Sequence, residues 1–147
     1  MSSFVHSRVE AARAGTNPNV ICRMPSGWAV YADYPFLPGY TVLLSDPVAV
    51  ELNALSRPER LQYLYDMSII GDALLEVTGA YRINYAILCN SAPALHAHIV
   101  PRYADEPEAQ RRMPPWAYPP EVLAGHEFDA ARDRELMERI RQVLCAG

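Results

Sequence analysis

The stretch that most constrains the fold is NSAPALHAHIVPRY, residues 90–103. Within it, His96 and His98 stand two positions apart in a short apolar run that follows an Asn-Ser-Ala-Pro turn. Side chains alternate between the two faces of a β-strand, so both imidazoles share one face of a strand over 94–103. The opposite face is small and apolar, as burial beneath a helix requires, and consists of Leu95, Ala97 and Ile99.

The segments before this strand predict its partners. YRINYAILCN, residues 81–90, predicts a second strand that pairs with 94–103 in antiparallel orientation through a tight connection. Earlier in the chain, Ser56 as an N-cap and Gly79 as a C-cap bound a long helix over 58–78. Apolar residues recur along this helix at i, i+3 and i+4, which predicts that one face packs on the core.

The rest of the chain predicts regular elements and one irregular arm. The arm, residues 104–128, is rich in proline and charge. Its Trp116 and Tyr118 either pack the arm on the sheet or cover the site of a partner subunit, and packing is the favoured interpretation. The regular elements are a helix over 4–14, a hairpin of VICRM (20–24) and WAVYAD (28–33), a strand over 41–45 and a helix over 129–144.

Composition restricts the class of protein. The 147 residues are 50% hydrophobic, which suits one compact domain over 1–147. The net charge of −4 lacks the basic footprint of a protein that binds nucleic acid. No apolar run approaches the ~20 residues of a membrane span, and residues 1–15 contain no apolar core of a signal peptide.

The cysteines indicate a reducing environment. Cys22, Cys89 and Cys145 form no Cys-x-x-Cys pair and are odd in number. We therefore expect neither a disulfide framework nor a zinc cluster. The corresponding expectation for location is the cytoplasm.

Two imidazoles on one strand face have three interpretations. Both can be structural, each satisfied by a backbone carbonyl or by water. They can bind a metal ion, which needs a third ligand, and Cys89 and Asp33 are the nearby candidates. One can be a nucleophile, because a neutral imidazole whose other nitrogen is held by a fixed acceptor is reactive at physiological pH. The neutral donors of Asn90 and Ser91 then suit an anionic electrophile such as a phosphate.

The stretch resembles the signature of the histidine triad (HIT) superfamily, His-φ-His-φ-His-φ-φ, where φ is apolar and Pro-Arg often follows. The middle and last histidines of that signature correspond to His96 and His98, and Ala94 stands at the place of the first. The segment LPGYTVLLSDP, residues 37–47, resembles the family's Pro-Gly-His strand, with Tyr40 in place of the histidine.

The resemblance covers about residues 20–103 and implies both fold and activity. It implies an α+β fold, with an antiparallel sheet of about five strands and two main helices, to which residues 104–147 add a loop arm and a helix. Members of the family are nucleotide hydrolases and transferases that act at the α-phosphate, and they usually form homodimers. The resemblance implies no cofactor for the covalent step, and Mg²⁺ at most accompanies the nucleotide substrate.

The resemblance also implies roles for single residues. His96 matches the nucleophile that forms a nucleotidyl-histidine, and His98 matches the last triad histidine, which bonds a phosphate oxygen. The expected substrate is a dinucleoside polyphosphate or a nucleotide phosphoramidate. Arg102 either reaches a phosphate or is a solvated residue at the strand end. The other implied substrate contacts are Asn84, Asn90, Ser91 and Asp33.

Three positions depart from the family pattern. Ala94 lacks an imidazole, Tyr40 lacks another but keeps a hydroxyl that can donate, and Cys89 replaces a common glycine. Removal of one donor from a preorganised site costs about 10²–10³ in rate. The alternative function is therefore a catalytically weak module that binds nucleotides.

Overall fold

The structure is a computed structural model that describes residues 3–145. Within this range, two short 3₁₀ turns accompany five strands and five α-helices. The strands are β1 (Val20–Met24), β2 (Gly27–Tyr31), β3 (Thr41–Ser45), β4 (Arg82–Ala86) and β5 (His96–Arg102). The helices are α1 (Phe4–Ala14), α2 (Arg57–Thr78), α3 (Glu108–Arg111), α4 (Pro120–Ala124) and α5 (Ala130–Cys145). No helix in the described range is long and apolar enough to cross a membrane.

The five strands form one antiparallel sheet in the order β1-β2-β3-β5-β4. Helices α2 and α5 cover one face of the sheet and enclose the main apolar core. Helix α1 packs on the other face, where it forms a second, smaller cluster. The predicted α+β class, with a five-stranded antiparallel sheet and two main helices, is therefore confirmed.

Helix α2 has the boundaries that its capping residues predict. The Ser56 side chain accepts the backbone N–H of Glu59 at 3.3 Å, and the Glu59 carboxylate accepts the N–H of Ser56 at 2.9 Å. Gly79 ends the helix at φ 74°, a left-handed conformation that favours glycine. The buried residues that α2 contributes to the main core include Tyr63, Ile70 and Leu74.

The hairpin of β4 and β5 is shorter than predicted. Strand β4 ends at Ala86 and β5 begins at His96, so residues 87–95 form an irregular connection. In this connection Cys89 adopts a left-handed conformation with φ 59°. Extended backbone cannot continue through such a residue, which accounts for the early end of β4. The antiparallel pairing of the two strands is as predicted.

A disulfide bond joins Cys22 in β1 to Cys145 at the end of α5, with Cα atoms 6.8 Å apart. The expectation that no disulfide forms is therefore wrong. The two cysteines are 123 positions apart in the chain, and the packing of α5 against β1 brings them together. Cys89 is a half-buried free thiol.

We predict that Gly27→Ala strongly destabilises the sheet. Gly27 pairs with Met24 of β1 and with Ser45 of β3. A Cβ atom at this position would lie 1.8 Å from the carbonyl oxygen of Leu44. Because the clash involves backbone, strands must move apart, and we expect the free energy of unfolding in urea to fall by about 3 kcal/mol.

Gly79→Ala is the matched control. A Cβ atom at Gly79 meets no atom within 4 Å, so the left-handed backbone is the sole source of strain. The expected loss of stability is about 1 kcal/mol. Equal losses in the two variants would contradict the close approach of β2 and β3 at Gly27.

Candidate active site

The rings of His96 and His98 lie side by side on the sheet face opposite α2. Their centroids are 5.1 Å apart, with an angle of 75° between the ring planes. Both rings line a cavity of about 460 Å³, which we call the histidine pocket. The prediction that His96 and His98 lie on one face of the strand is confirmed. The residues that alternate with them, Leu95, Ala97 and Ile99, are fully buried in the main core on the other face.

A backbone carbonyl orients His96. Its Nδ1 atom lies 2.7 Å from the carbonyl oxygen of Ala94. A carbonyl oxygen can only accept a hydrogen bond, so Nδ1 carries the proton and Nε2 carries the lone pair. The edge of the Phe4 ring packs on the imidazole, with centroids 5.8 Å apart. The result is an oriented imidazole whose Nε2 can act as a nucleophile in the neutral form of the ring.

A phenol orients His98. The Tyr40 hydroxyl lies 2.6 Å from Nδ1 of His98. Burial raises the pKa of Tyr40 to about 12, so this hydroxyl keeps its proton at physiological pH. A hydrogen bond with Trp116, whose indole N–H can only donate, opposes part of that rise. We therefore assign Tyr40 as the donor to Nδ1, which leaves the proton of neutral His98 on Nε2.

The environment of His98 keeps its ring uncharged. Desolvation by burial lowers the pKa of His98 to about 4, and repulsion by a charge on His96 adds to the effect. The indole of Trp116 contributes to this burial, with its ring centroid 5.1 Å from that of His98. At neutral pH, His98 therefore offers one N–H donor and no positive charge.

Helix α1 forms a wall of the site that the sequence motif does not contain. Val5 and Val9 of α1 pack on Ala94, which is fully buried. The place of the first signature histidine is thus filled by a small residue beneath a helix. The apolar spacing in residues 4–14 predicted a packed helix, but it carried no signal for the surface that the helix covers.

A buried ion pair fixes the arm over the sheet. The Arg102 guanidinium and the Glu106 carboxylate are 3.0 Å apart, and both residues are buried. Glu106 also accepts the hydroxyl of Tyr118 at 2.5 Å. These contacts hold Trp116 against His98, so the arm packs on its own sheet, in agreement with the favoured interpretation of the sequence.

Arg102 is buried, and its guanidinium is bound within the chain. An arginine side chain has five N–H donors, and here each one is bound. The acceptors are the Glu106 carboxylate, the Asn84 side-chain oxygen and the carbonyl oxygens of Gln110 and Met113. The residue is 2% exposed, so it is not a solvated residue at the strand end, and all the donors with which it could reach a phosphate are bound within the chain.

The other residues predicted to contact the substrate do not all lie at the two histidines. Asp33 lines the histidine pocket, and its carboxylate accepts two hydrogen bonds from Arg8 at 2.9 and 3.0 Å. Asn84 lies on the same sheet face as the histidines but lines a neighbouring pocket. Asn90 and Ser91 are exposed on the connection before β5 and line neither pocket.

The candidate metal ligands do not converge on the two rings. Within residues 3–145, no group of three His, Cys, Asp or Glu side chains could hold a metal ion. Asp33 is paired with Arg8, and the Cys89 thiol lies 3.9 Å from the carbonyl oxygen of His96.

Solved structures with this fold are histidine triad proteins. One from Bradyrhizobium japonicum is 24% identical, covers 85% of this chain and 89% of its own, and has a TM-score of 0.69. A zinc-bound one from Mycobacterium smegmatis is 20% identical, with 97% and 96% covered and a TM-score of 0.65. A hypothetical histidine triad nucleotide-binding protein from Sulfolobus tokodaii is 13% identical, with 95% and 92% covered and a TM-score of 0.72. No protein-family model and no curated protein matches the chain. The histidine triad fold is confirmed.

We predict that acidification from pH 6.5 to 4.5 destabilises the chain through His98. The unfolded ring binds a proton near pH 6.5, whereas the folded ring does so only near pH 4. The unfolded state therefore holds more protons in this interval. The free energy of unfolding, measured in urea, should fall by up to about 1.4 kcal/mol for each pH unit of acidification.

His98→Asn is the comparison variant. Its amide does not titrate, so its stability should change less over the same interval. Carboxylates titrate at lower pH, and they affect the stability of both variants equally. One of them is Glu106, whose pKa is below its ordinary value despite burial because Arg102 and Tyr118 form hydrogen bonds with it. Parallel profiles of the two chains between pH 6.5 and 4.5 would contradict the lowered pKa of His98.

Proposed function

We propose that this chain is a nucleotide hydrolase or transferase of the histidine triad type, which cleaves at the α-phosphate through a covalent nucleotidyl-histidine on His96. The observation that carries the proposal is the hydrogen bond from His96 Nδ1 to the Ala94 carbonyl oxygen. It leaves Nε2 with its lone pair on a ring that lines the histidine pocket. One structural relative is itself described as nucleotide-binding.

The reaction has two balanced steps. In the first, His96 Nε2 attacks the α-phosphorus and forms a P–N bond, while the bond from phosphorus to the leaving group breaks and the leaving group takes its electron pair; the amide of a phosphoramidate also takes a proton from solvent and leaves as ammonia. In the second, water attacks the same phosphorus and releases a proton to solvent, and the P–N bond electrons return to Nε2. The Ala94 carbonyl stabilises the positive charge that the imidazole acquires in the intermediate. Another acceptor in place of water makes the protein a transferase.

The neighbours of His96 supply neutral donors and an oriented pocket. His98 donates its Nε2 proton to a non-bridging phosphate oxygen, and Tyr40 holds the ring in the tautomer that can do so. The Asp33 carboxylate, at the wall of the same pocket, accepts hydroxyl groups of the ribose. Apolar and aromatic walls strengthen these hydrogen bonds, because less water competes for the donors.

Ala94 is the observation that favours the alternative, a module that binds nucleotides with little turnover. A site with this residue lacks one imidazole, and α1 occupies the adjacent space. The Tyr40 hydroxyl compensates in part, since it bonds the remaining ring. Turnover and binding therefore have to be measured on the same preparation.

We also propose that the chain forms a homodimer. Strand β4 is at the edge of the sheet, where a second copy can pair with it. The exposed apolar side chains near this edge and on α2 include Tyr85, Leu88, Leu61 and Tyr65. Light scattering on the purified protein at micromolar concentration tests the proposal, and a monomeric mass would contradict it.

The proposed location of the protein is the cytoplasm. We propose that Mg²⁺ accompanies the nucleotide substrate there and takes no part in the covalent step. Disulfides are rare in reducing compartments, so the state of Cys22 and Cys145 in intact cells is a direct test. Thiol alkylation before lysis, followed by peptide mass spectrometry, should find Cys22 and Cys145 reduced in the cell, so that the bond present in the structure forms only under oxidising conditions. A fully linked pair would contradict this location.

We predict that His96→Ala abolishes turnover of diadenosine tetraphosphate and of adenosine 5′-phosphoramidate. Loss of the nucleophile should reduce kcat at least roughly a thousandfold. Rapid quenching of the wild-type protein in alkaline denaturant, which preserves a P–N bond, followed by mass spectrometry of peptides, should locate one adenylyl group on His96. His126→Ala, which removes an exposed histidine on the arm, should keep full activity and give the same adduct.

Several outcomes separate the two functions. Equal turnover by His96→Ala and the wild-type protein would contradict catalysis through His96. Calorimetric binding of AMP by the wild-type protein, without turnover of either substrate, would support the binding module instead. Full activity with the phosphoramidate in the presence of a chelator is expected, because the covalent step uses no metal.

A further inference from the structure

A second cavity lies on the same side of the sheet as the histidine pocket. Its volume is about 730 Å³, and Trp116 lines both cavities. We call it the arginine pocket, because its walls include Arg82, Arg111 and Arg112 in addition to the buried Arg102. None of the described residues that line it is acidic. This is a local concentration of cations in a protein whose net charge is −4.

The register of β4 and β5 explains why the two pockets are neighbours on one face of the sheet. Residues that pair across antiparallel strands share a face, so the β4 wall of the arginine pocket continues the row that carries the histidines. Four residues, or roughly 13 Å of strand, separate His98 from Arg102. The pairs on this face are Ala86 with His98, Asn84 with Val100 and Arg82 with Arg102.

The accessible groups of the arginine pocket suit a nucleotide. The Arg82 guanidinium lies over the ring of Tyr81, with 5.3 Å to its centroid, and the Tyr81 ring is 45% exposed. Arg111 uses one donor on the Ala104 carbonyl, and its guanidinium has four more. Guanidinium groups bind phosphates in pairs of hydrogen bonds, and exposed aromatic rings stack on bases.

The two pockets, which share Trp116 as a wall, therefore differ in chemistry. The histidine pocket has neutral polar groups that suit one phosphate under attack, together with the Asp33 carboxylate. The arginine pocket has cationic groups and aromatic faces, and its volume is within the range of small-molecule sites. Arg112 is partly neutralised by Glu108, at 3.4 Å, so Arg82 and Arg111 carry most of the available positive charge.

We propose, on the basis of the function proposed above, that the arginine pocket receives the leaving group of a dinucleoside polyphosphate. The α-phosphate lies at His96, the remaining phosphates pass Trp116 and bind Arg82 and Arg111, and the second nucleoside stacks on Tyr81. When His96 attacks, the bond from the α-phosphorus to the bridging oxygen breaks. The nucleoside polyphosphate then leaves with that electron pair, and the arginines stabilise its added charge. Nucleotide phosphoramidates lack these phosphates and make no such contact.

The test compares two substrates that share the adenylyl group. Diadenosine tetraphosphate has a polyphosphate leaving group, and adenosine 5′-phosphoramidate does not. We expect Arg82→Ala and Arg111→Ala each to lower kcat/KM for the tetraphosphate about tenfold, which corresponds to one lost charged contact. The value for the phosphoramidate should remain within about twofold of the wild-type value. Rising salt should also reduce kcat/KM for the tetraphosphate more steeply than for the phosphoramidate.

Arg139→Ala is the control for charge. This arginine is exposed on α5, which packs on the opposite face of the sheet, and its loss should change kcat/KM for neither substrate. Equal losses for both substrates in the Arg82 and Arg111 variants, or no loss for either, would overturn the assignment of the arginine pocket to the leaving group. Absence of turnover of both substrates by the wild-type protein would instead contradict the proposed function, and the inference with it.

Discussion

The alternation of side chains along β5 is the constraint on which the rest of the structure depends. Leu95, Ala97 and Ile99 are fully buried against α2, and this burial fixes which face of the strand is turned to the core. A slip of one residue would bury both imidazoles and expose the apolar residues, at a cost of several kcal/mol. The geometry of the candidate nucleophile is therefore secured by the same contacts that stabilise the fold. No further element is needed to determine which face of β5 carries the two histidines.

The segments that enclose the histidine pocket determine how its two rings are protonated. Helix α1 and the arm replace water around the rings with Phe4, Val5 and Trp116. Burial lowers the pKa of His98, and each ring is bound at Nδ1 by a different partner, a carbonyl for His96 and a phenol for His98. These two partners give the rings opposite tautomers. One ring then offers a lone pair and its neighbour offers a proton, which is the combination that attack on a phosphate ester requires.

The sequence predicts the parts of this protein that follow from local spacing. The caps of α2, the pairing of β4 with β5 and the shared face of His96 and His98 all follow from residues within a few positions of one another. The disulfide, the cover of Ala94 by α1 and the buried role of Arg102 do not, because each depends on segments that meet only in the folded chain. Arg102 illustrates the point. A terminal Pro-Arg suggests a solvated or ligand-binding guanidinium, and nothing in this dipeptide shows that Asn84, Glu106 and two carbonyls of the arm use all five of its donors.

The buried pair of Arg102 and Glu106 links the stability of the arm to the chemistry of the site. Removal of water from two charges is costly, and here the cost is offset by a complete set of hydrogen bonds. The arm therefore has one well-defined position, in which Trp116 forms the wall common to the two pockets. Replacement of either charged residue would leave its partner buried and unpaired, and the arm would lose its anchor. Loss of activity in such a variant would be transmitted through Trp116 and the environment of His98, so it would be no evidence that Arg102 contacts a substrate.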